Sequence, residues 1–146
     1  MFFETMLTKT FIDEMTASGQ WTDEYLYDRL RTRAGECGDA PLVIDRHGQL
    51  SWSDAVELVD QLGRGFLELG VRPADVVQVQ LPNRREFLLA VLALEHIGAV
   101  VNPVAPIFRA NEVAVMSDLA RPVAVVTVDQ FRGFDLAAMH LELRER

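Results

Sequence analysis

From residue 75 onward the apolar positions alternate between two periods. "DVVQVQL" (75–81) is a short apolar run whose later half alternates Val and Gln, the pattern of a strand. The next segment carries Phe87, Leu88, Val91, Leu92 and Leu94 around much of a helical circumference, which predicts a deeply buried helix. Asn83 is its expected cap, with Glu86 three residues on as the second half of a capping signature, and Gly98 is its stop. "AVVNPV" (99–104) returns to strand character, and "ANEVAVMSDLA" (110–120) reads as a helix broken by Pro122. "VAVVTV" (123–128) is a nearly continuous β-branched run, suited to a strand covered on both faces. "FRGFD" (131–135) makes a loop and "LAAMHLELRER" a final helix. The order β-α-β-α-β-α predicts an α/β fold: a parallel sheet built from 75–81, 99–104 and 122–128, with flanking helices and right-handed crossovers.

Before residue 75 the pattern is more local. Residues 1–22 read as a peripheral leader, partly disordered or carrying a short helix. In "TDEYLYDRLRTRAGECG", Tyr25, Leu26, Leu30 and Ala34 fall roughly at helical spacing, with Gly35 or Gly38 as stop signals. "PLVIDRHGQLSW" predicts two short strands around a turn at Arg46, His47 and Gly48. Ser51 and Asp54 then form a capping pair for a helix whose stripe is Ala55, Leu58, Val59, Leu62, Phe66 and Leu69, ended by Gly70 and Pro73.

Composition narrows the function classes. The chain has 146 residues, enough for one domain with a real core, and 49% are hydrophobic. Its net charge is -8 and its basic residues are scattered, so it lacks the concentrated Lys and Arg that track nucleic-acid phosphates. Lys9 is the sole lysine, which excludes lysine-based phosphate or Schiff-base chemistry from the body of the chain. Cys37 stands alone, so no internal disulfide forms. The acidic residues Glu4, Asp13 and Glu14 interrupt the N-terminal apolar positions, unlike a signal peptide, and "LLAVLAL" is far too short to span a bilayer. A cytoplasmic, soluble protein without a transmembrane segment is expected.

Candidate chemistry is sparse. Neither GxGxxG nor GxxxxGK[ST] occurs, and no serine lies in GxSxG. His47, His96 and His140 lack partners at metal-ligand spacing; His47 reads as a turn residue and His96 as a helix-end residue complementing the dipole. Arg84 and Arg85 read as a solvated face, with a partner contact as the alternative. The most suggestive segment is "NPVAPIFR" (102–109), which follows the carboxyl end of a predicted parallel strand, where open α/β sheets place ligands. Two prolines stiffen it, and Arg109 either meets an anionic group or caps a surface.

Several ordered stretches resemble the opening of the adenylate-forming (AMP-dependent synthetase/ligase) superfamily. "LSWSDAV" is similar to its first core motif, with Trp52 where Tyr is usual and Asp54 where Glu is usual. "LEHIGAVVNPV" is similar to the second, and "LGVRPADVVQVQLPN" to the join between them. "FRGFDLAAM" looks most like medium-chain acyl- or cyclohexanecarboxylate-type CoA ligases. The resemblance covers roughly 23–146 and implies an incomplete N-terminal domain of an acyl-CoA synthetase, which makes an acyl-adenylate and then an acyl-CoA. It implies ATP, Mg²⁺ and CoA for the full-length enzyme, a small carboxylate substrate and a place in fatty acid metabolism. The family's phosphate loop, ribose-binding Asp and lid lysine have no counterparts here, so the chain alone is expected to be inactive, with no cofactor and no catalytic residue. Arg109 is the one candidate cofactor contact, near CoA. A half-built sheet would also favour self-association. The alternatives are a non-catalytic interaction module and a flavodoxin-like binding domain.

Overall fold

The computed structural model describes residues 7–22 and 24–144; the first six residues of the expected leader and the chain's last two lie outside them. Helix α1 (Lys9–Ala17) starts at Thr8, whose hydroxyl accepts from Phe11 N–H at 3.2 Å, and it buries no residue. Helix α2 (Leu26–Cys37) follows, then an antiparallel hairpin of β1 (Pro41–Asp45) and β2 (Gly48–Ser51). Helix α3 (Trp52–Glu68) begins with the expected reciprocal cap: Asp54 N–H donates to Ser51 Oγ at 3.1 Å, and Ser51 N–H to Asp54 Oδ2 at 3.4 Å.

The alternation read from residue 75 produces the sheet. Strand β3 (Val76–Gln80), helix α4 (Arg85–His96), strand β4 (Val100–Pro103), helix α5 (Ala110–Ala120) and strand β5 (Ala124–Thr127) succeed one another. The three strands are parallel in the order β4-β3-β5, with Val79 opposite Pro103 on one side and Val126 on the other. The expected 131–135 loop is instead a tight hairpin of β6 (Gln130–Phe131) and β7 (Phe134–Asp135). Its two turn residues, Arg132 and Gly133, both have positive φ, as a two-residue hairpin turn requires. Helix α6 (Leu136–Arg144) completes the described chain.

Central β3 is buried at all five positions, and its pleat divides the core. Val77 and Val79 pack with Ala90, Leu94 and Val71 on the face covered by α3 and α4. Gln78 and Gln80 point to the other face, toward α5 and α6, where Val104, Val113, Leu136 and Met139 form a separate cluster. A third cluster joins α2, α3 and α4 through Leu30, Ala55, Val59, Leu89 and Ala93. Two glycines are set by close approach. Gly63 lies where α3 meets α4, and an added Cβ would stand 3.1 Å from Ile97. Gly98 has φ +77, and an added Cβ would stand 3.3 Å from Pro73.

Three local expectations fail for identifiable reasons. In α2 it is Tyr27 with Leu30 that is buried, whereas Tyr25 and Leu26 are exposed. Tyr27 is drawn inward by its hydrogen bond to Asp60 and its ring stack on His96, centroids 3.7 Å apart, which fixes the helix's rotation. Helix α4 is capped at Arg84 rather than Asn83, without a side-chain cap, because the helix starts with Arg85 tied to the β1–β2 hairpin. Along α3 and its C-cap, Leu62 and Leu69 lie exposed although their stripe is apolar, because no described residue covers the free side of β5 beside them.

Candidate functional site

The carboxyl end of β4 delivers the chain into the segment 104–109, beside the carboxyl end of β3, and a single side chain shapes it. Gln80, wholly buried at the end of β3, donates through Nε2 to Ala105 O at 3.1 Å and Phe108 O at 3.2 Å. Those two carbonyls fix the orientation of its amide, so Oε1 is an acceptor, and it meets His140 Nε2 of α6 at 2.7 Å. An acceptor on that side requires the proton on His140 Nε2, leaving Nδ1 as the unprotonated nitrogen of a neutral ring. Burial favours that neutral form by pushing the His140 pKa below the usual imidazole value. One residue of the central strand thus ties the proline-bearing loop to the last helix.

Two positions earlier Gln78 is equally buried but differently served. Its Oε1 accepts from Ser117 Oγ at 2.8 Å, while Nε2 has no partner among the described residues. These residues were not singled out as functional from the sequence. The available signal was the "VQVQ" alternation: polar residues at every second position of a strand buried on both faces must find partners inside.

Arg109 sits at the amino end of α5. Its Nη1 donates to Pro106 O and Phe108 O, both at 3.0 Å, and its guanidinium lies 4.2 Å from the Phe134 ring centroid. Its backbone N–H donates to Glu112 Oε2 at 3.2 Å. Arg109 therefore braces the loop from the β6–β7 side while Gln80 holds it from beneath.

The other candidates are dispersed. Arg85 is not a solvated cation: it forms a two-pronged ion pair with Asp45, with Nε to Oδ2 at 2.7 Å, and Nη2 also donates to Gly48 O at 2.9 Å. That hydrogen-bonded guanidinium holds the Asp45 carboxyl down at about 2. His47 is a turn residue that accepts from Arg46 Nε at 3.0 Å. His96 stacks on Tyr27 and lies 3.6 Å from Asp60. Burial, then the bond to Asp60, pushes the Tyr27 hydroxyl up to about 12. Lys9 pairs with Asp13 on the surface of α1. Among the described residues no His, Cys, Asp and Glu cluster could hold a metal ion, and no helix is long and apolar enough to cross a membrane.

The arrangement can brace a loop at the ligand-bearing edge of a parallel sheet. Nucleophile, base and phosphate cradle are not assembled among the described residues.

Residues 30–146 match the family described as AMP-binding enzyme. The chain is 30% identical over 129 residues to the 2,3-dihydroxybenzoate-AMP ligase of Bacillus subtilis, covering 88% of this chain and 24% of that protein. It is 31% identical over 132 residues to the salicyl-AMP ligase / salicyl-S-ArCP synthetase of Mycobacterium tuberculosis, covering 87% and 23%. The apo structure of Mycobacterium smegmatis MbtA superposes with a TM-score of 0.85 at 32% identity, over 97% of this chain and 26% of that one. The chain thus spans about a quarter of the length of the relatives it matches. These relatives are named for aryl acids, which corrects the expectation of a cyclohexanecarboxylate or medium-chain type and leaves fatty acid metabolism unsupported.

Proposed function

The chain belongs to the AMP-binding enzyme family, as part of the N-terminal region of an adenylate-forming ligase, and from that premise we propose that it serves an ATP-dependent ligase for aryl carboxylic acids. The supporting observation is the likeness to a 2,3-dihydroxybenzoate-AMP ligase and a salicyl-AMP ligase over nearly the whole chain. In the reaction a carboxylate oxygen bonds to the α-phosphorus of ATP as the α–β anhydride bond breaks and pyrophosphate leaves. A thiol sulfur then bonds to the acyl carbon as the acyl–phosphate bond breaks, AMP leaves and the thiol proton is released. A 2-hydroxy-7-methoxy-5-methyl-1-naphthoate–CoA ligase among the relatives keeps CoA as a candidate acceptor.

The described residues do not fit the triphosphate or Mg²⁺. The lone lysine is exposed on α1, and no carboxylate group of metal-binding geometry is present among them. The contribution of this chain is scaffold: the β3–β4 edge and the loop that Gln80 and Arg109 hold in place. For CoA, Arg109 remains the candidate contact; Nη1 is committed to two carbonyls, so a CoA phosphate would be met by the other guanidinium nitrogens.

The experiment is carboxylate-dependent pyrophosphate release with ATP and Mg²⁺, using salicylate, 2,3-dihydroxybenzoate and fatty acids. The chain alone is expected to give no release above a heat-killed control, because losing even one preorganised donor costs about a hundredfold or more in rate. The polypeptide continued by its downstream codons is expected to prefer the aryl acids. Preference for fatty acids would refute the substrate class, and release by the chain alone would refute the scaffold role.

A further inference from the structure

The loop 104–109 and helix α6 are joined by a closed circuit of contacts. The inference it carries deepens the reading as a ligase and rests on that reading's candidate contact between Arg109 and CoA. His140 Nε2–H of α6 donates to Gln80 Oε1 at 2.7 Å, and Gln80 Nε2 donates to Ala105 O and Phe108 O. Phe108 O is a shared acceptor, because Arg109 Nη1 donates to it as well, at 3.0 Å. The Arg109 guanidinium in turn lies 4.2 Å from the ring centroid of Phe134, which stands in β7 directly before α6. The circuit leaves α6 through His140 and returns to it through Phe134.

Each link has a physical reason to hold its neighbour. Gln80 is wholly buried, so its amide does not exchange these partners for water. Pro106 brings no N–H to the loop, and side chains supply the donors at Pro106 O and Phe108 O. A guanidinium is planar and rigid, so fixing Nη1 on two carbonyls and the group against Phe134 sets the direction of the remaining fork. Nε and Nη2 of Arg109 bond to no described residue and are the nitrogens left for an anion. We propose that Gln80 and His140 are positioning residues for CoA: by holding Phe108 O they aim the fork of Arg109 at the carboxyl edge of the sheet, where it meets a CoA phosphate. Neither touches CoA itself. Gln78, equally buried two positions earlier in the same strand, bonds to Ser117 rather than to the loop and has no such role.

The experiment is a double-mutant cycle on the polypeptide continued by its downstream codons, with CoA affinity read as the calorimetric Kd and as KM in acyl-CoA formation. Arg109→Leu should weaken CoA about tenfold to a hundredfold, the loss of one hydrogen bond to a charged group. Gln80→Leu should weaken it about tenfold in the parent background and by less than about twofold in the Arg109→Leu background. The KM for the aryl acid in pyrophosphate release should change far less than the KM for CoA, a split that lost stability alone does not produce. Gln78→Leu, the control of equal burial, should not shift CoA affinity. His140→Leu should weaken CoA in the same Arg109-dependent way, and His140→Gln, whose side-chain N–H can replace the imidazole donor, should restore it. If Gln80→Leu fails to fold, shown by circular dichroism, the two His140 variants decide. Equal losses from Gln80→Leu with and without Arg109 overturn the proposal, as does an equal loss from Gln78→Leu. A parent polypeptide that adenylates aryl acids without binding CoA overturns it while the aryl-acid reading stands. Arg109-dependent losses of CoA affinity in a polypeptide that adenylates no aryl acid defeat that reading and leave this one standing.

Discussion

Gln78 and Gln80 make a paired experiment within one strand. Both are fully buried on the same face of β3, so burial alone predicts the same response to Gln→Leu, a swap of similar volume. Their partners differ. Gln80→Leu strands the Nε2–H of His140 and takes one of two donors from each of two carbonyls, leaving Ala105 O with Phe108 N–H and Phe108 O with Arg109 Nη1. A buried group left unsatisfied costs about 1–3 kcal/mol. With each loop carbonyl keeping one donor, a total of about 2 kcal/mol is expected. That corresponds to a fall of about 4–8 °C in melting temperature for a chain of this size. Gln78→Leu removes one bond to Ser117, whose hydroxyl can rotate, and also removes an Nε2 that has no partner among the described residues. Those effects offset, so a change within about 1 kcal/mol is expected. Urea unfolding followed by circular dichroism measures both, with unchanged slopes confirming that the unfolding reaction is the same. Equal destabilisation by the two substitutions would refute the reasoning, since it would show that amide burial rather than hydrogen-bond satisfaction sets the energy. The double variant Gln80→Leu/His140→Leu should recover part of the loss, because the stranded imidazole is gone.

Four further outcomes follow from the same geometry. His140 titrates below its ordinary value of 6.5 in the folded chain, so the unfolded chain binds the extra proton first; stability should decline as pH falls below about 6.5, and His140→Gln should flatten that decline in urea titrations taken at successive pH values. The Asp45 carboxyl is held at about 2 against 3.8, so its stabilising contribution is complete above 3.8 and disappears as pH falls through about 2; Asp45→Asn should remove that acid-side slope. Gly98→Ala forces a side chain into a φ of +77 against Pro73 and should cost about 1–2 kcal/mol by the same unfolding assay. Tyr27→Phe deletes the hydroxyl that binds Asp60 and should cost about 1 kcal/mol, with a steady near-ultraviolet spectrum above pH 10 in the Tyr25→Phe variant, where Tyr27 is the one tyrosine left, checking that Tyr27 stays protonated there.

The sequence by itself determined the elements and their alternation. The "VVQVQ", "AVVNP" and "AVVT" runs are strands because β-branched side chains at short spacing suit a pleated surface. Ser51 and Asp54 mark a helix start because their reciprocal bonds are made within four residues, and Gly98 marks a stop because its positive φ suits a residue without a Cβ. A strand–helix–strand order then leaves a parallel sheet as the economical arrangement, and the motifs around Leu50–Val56 and Leu94–Val104 were specific enough to indicate the adenylate-forming superfamily. What the tertiary structure decided are pairings between residues far apart in the chain. Arg85 finds Asp45 across 40 positions, Tyr27 finds Asp60 across 33, and Gln80 finds His140 across 60. No local period encodes such a meeting, because it depends on helix rotation and on which face of the sheet each helix takes. The same holds for Arg109, whose position in the sequence left an anion contact and a surface cap equally open; only the fold brought Phe134 beneath its guanidinium and the carbonyls of Pro106 and Phe108 within its reach. The aryl acids in the relatives' names were not legible at all, because the "FRGFDLAAM" stretch that suggested another acid type folds as a hairpin and a helix start whose Phe131, Phe134, Leu136 and Met139 pack with Val113 of α5.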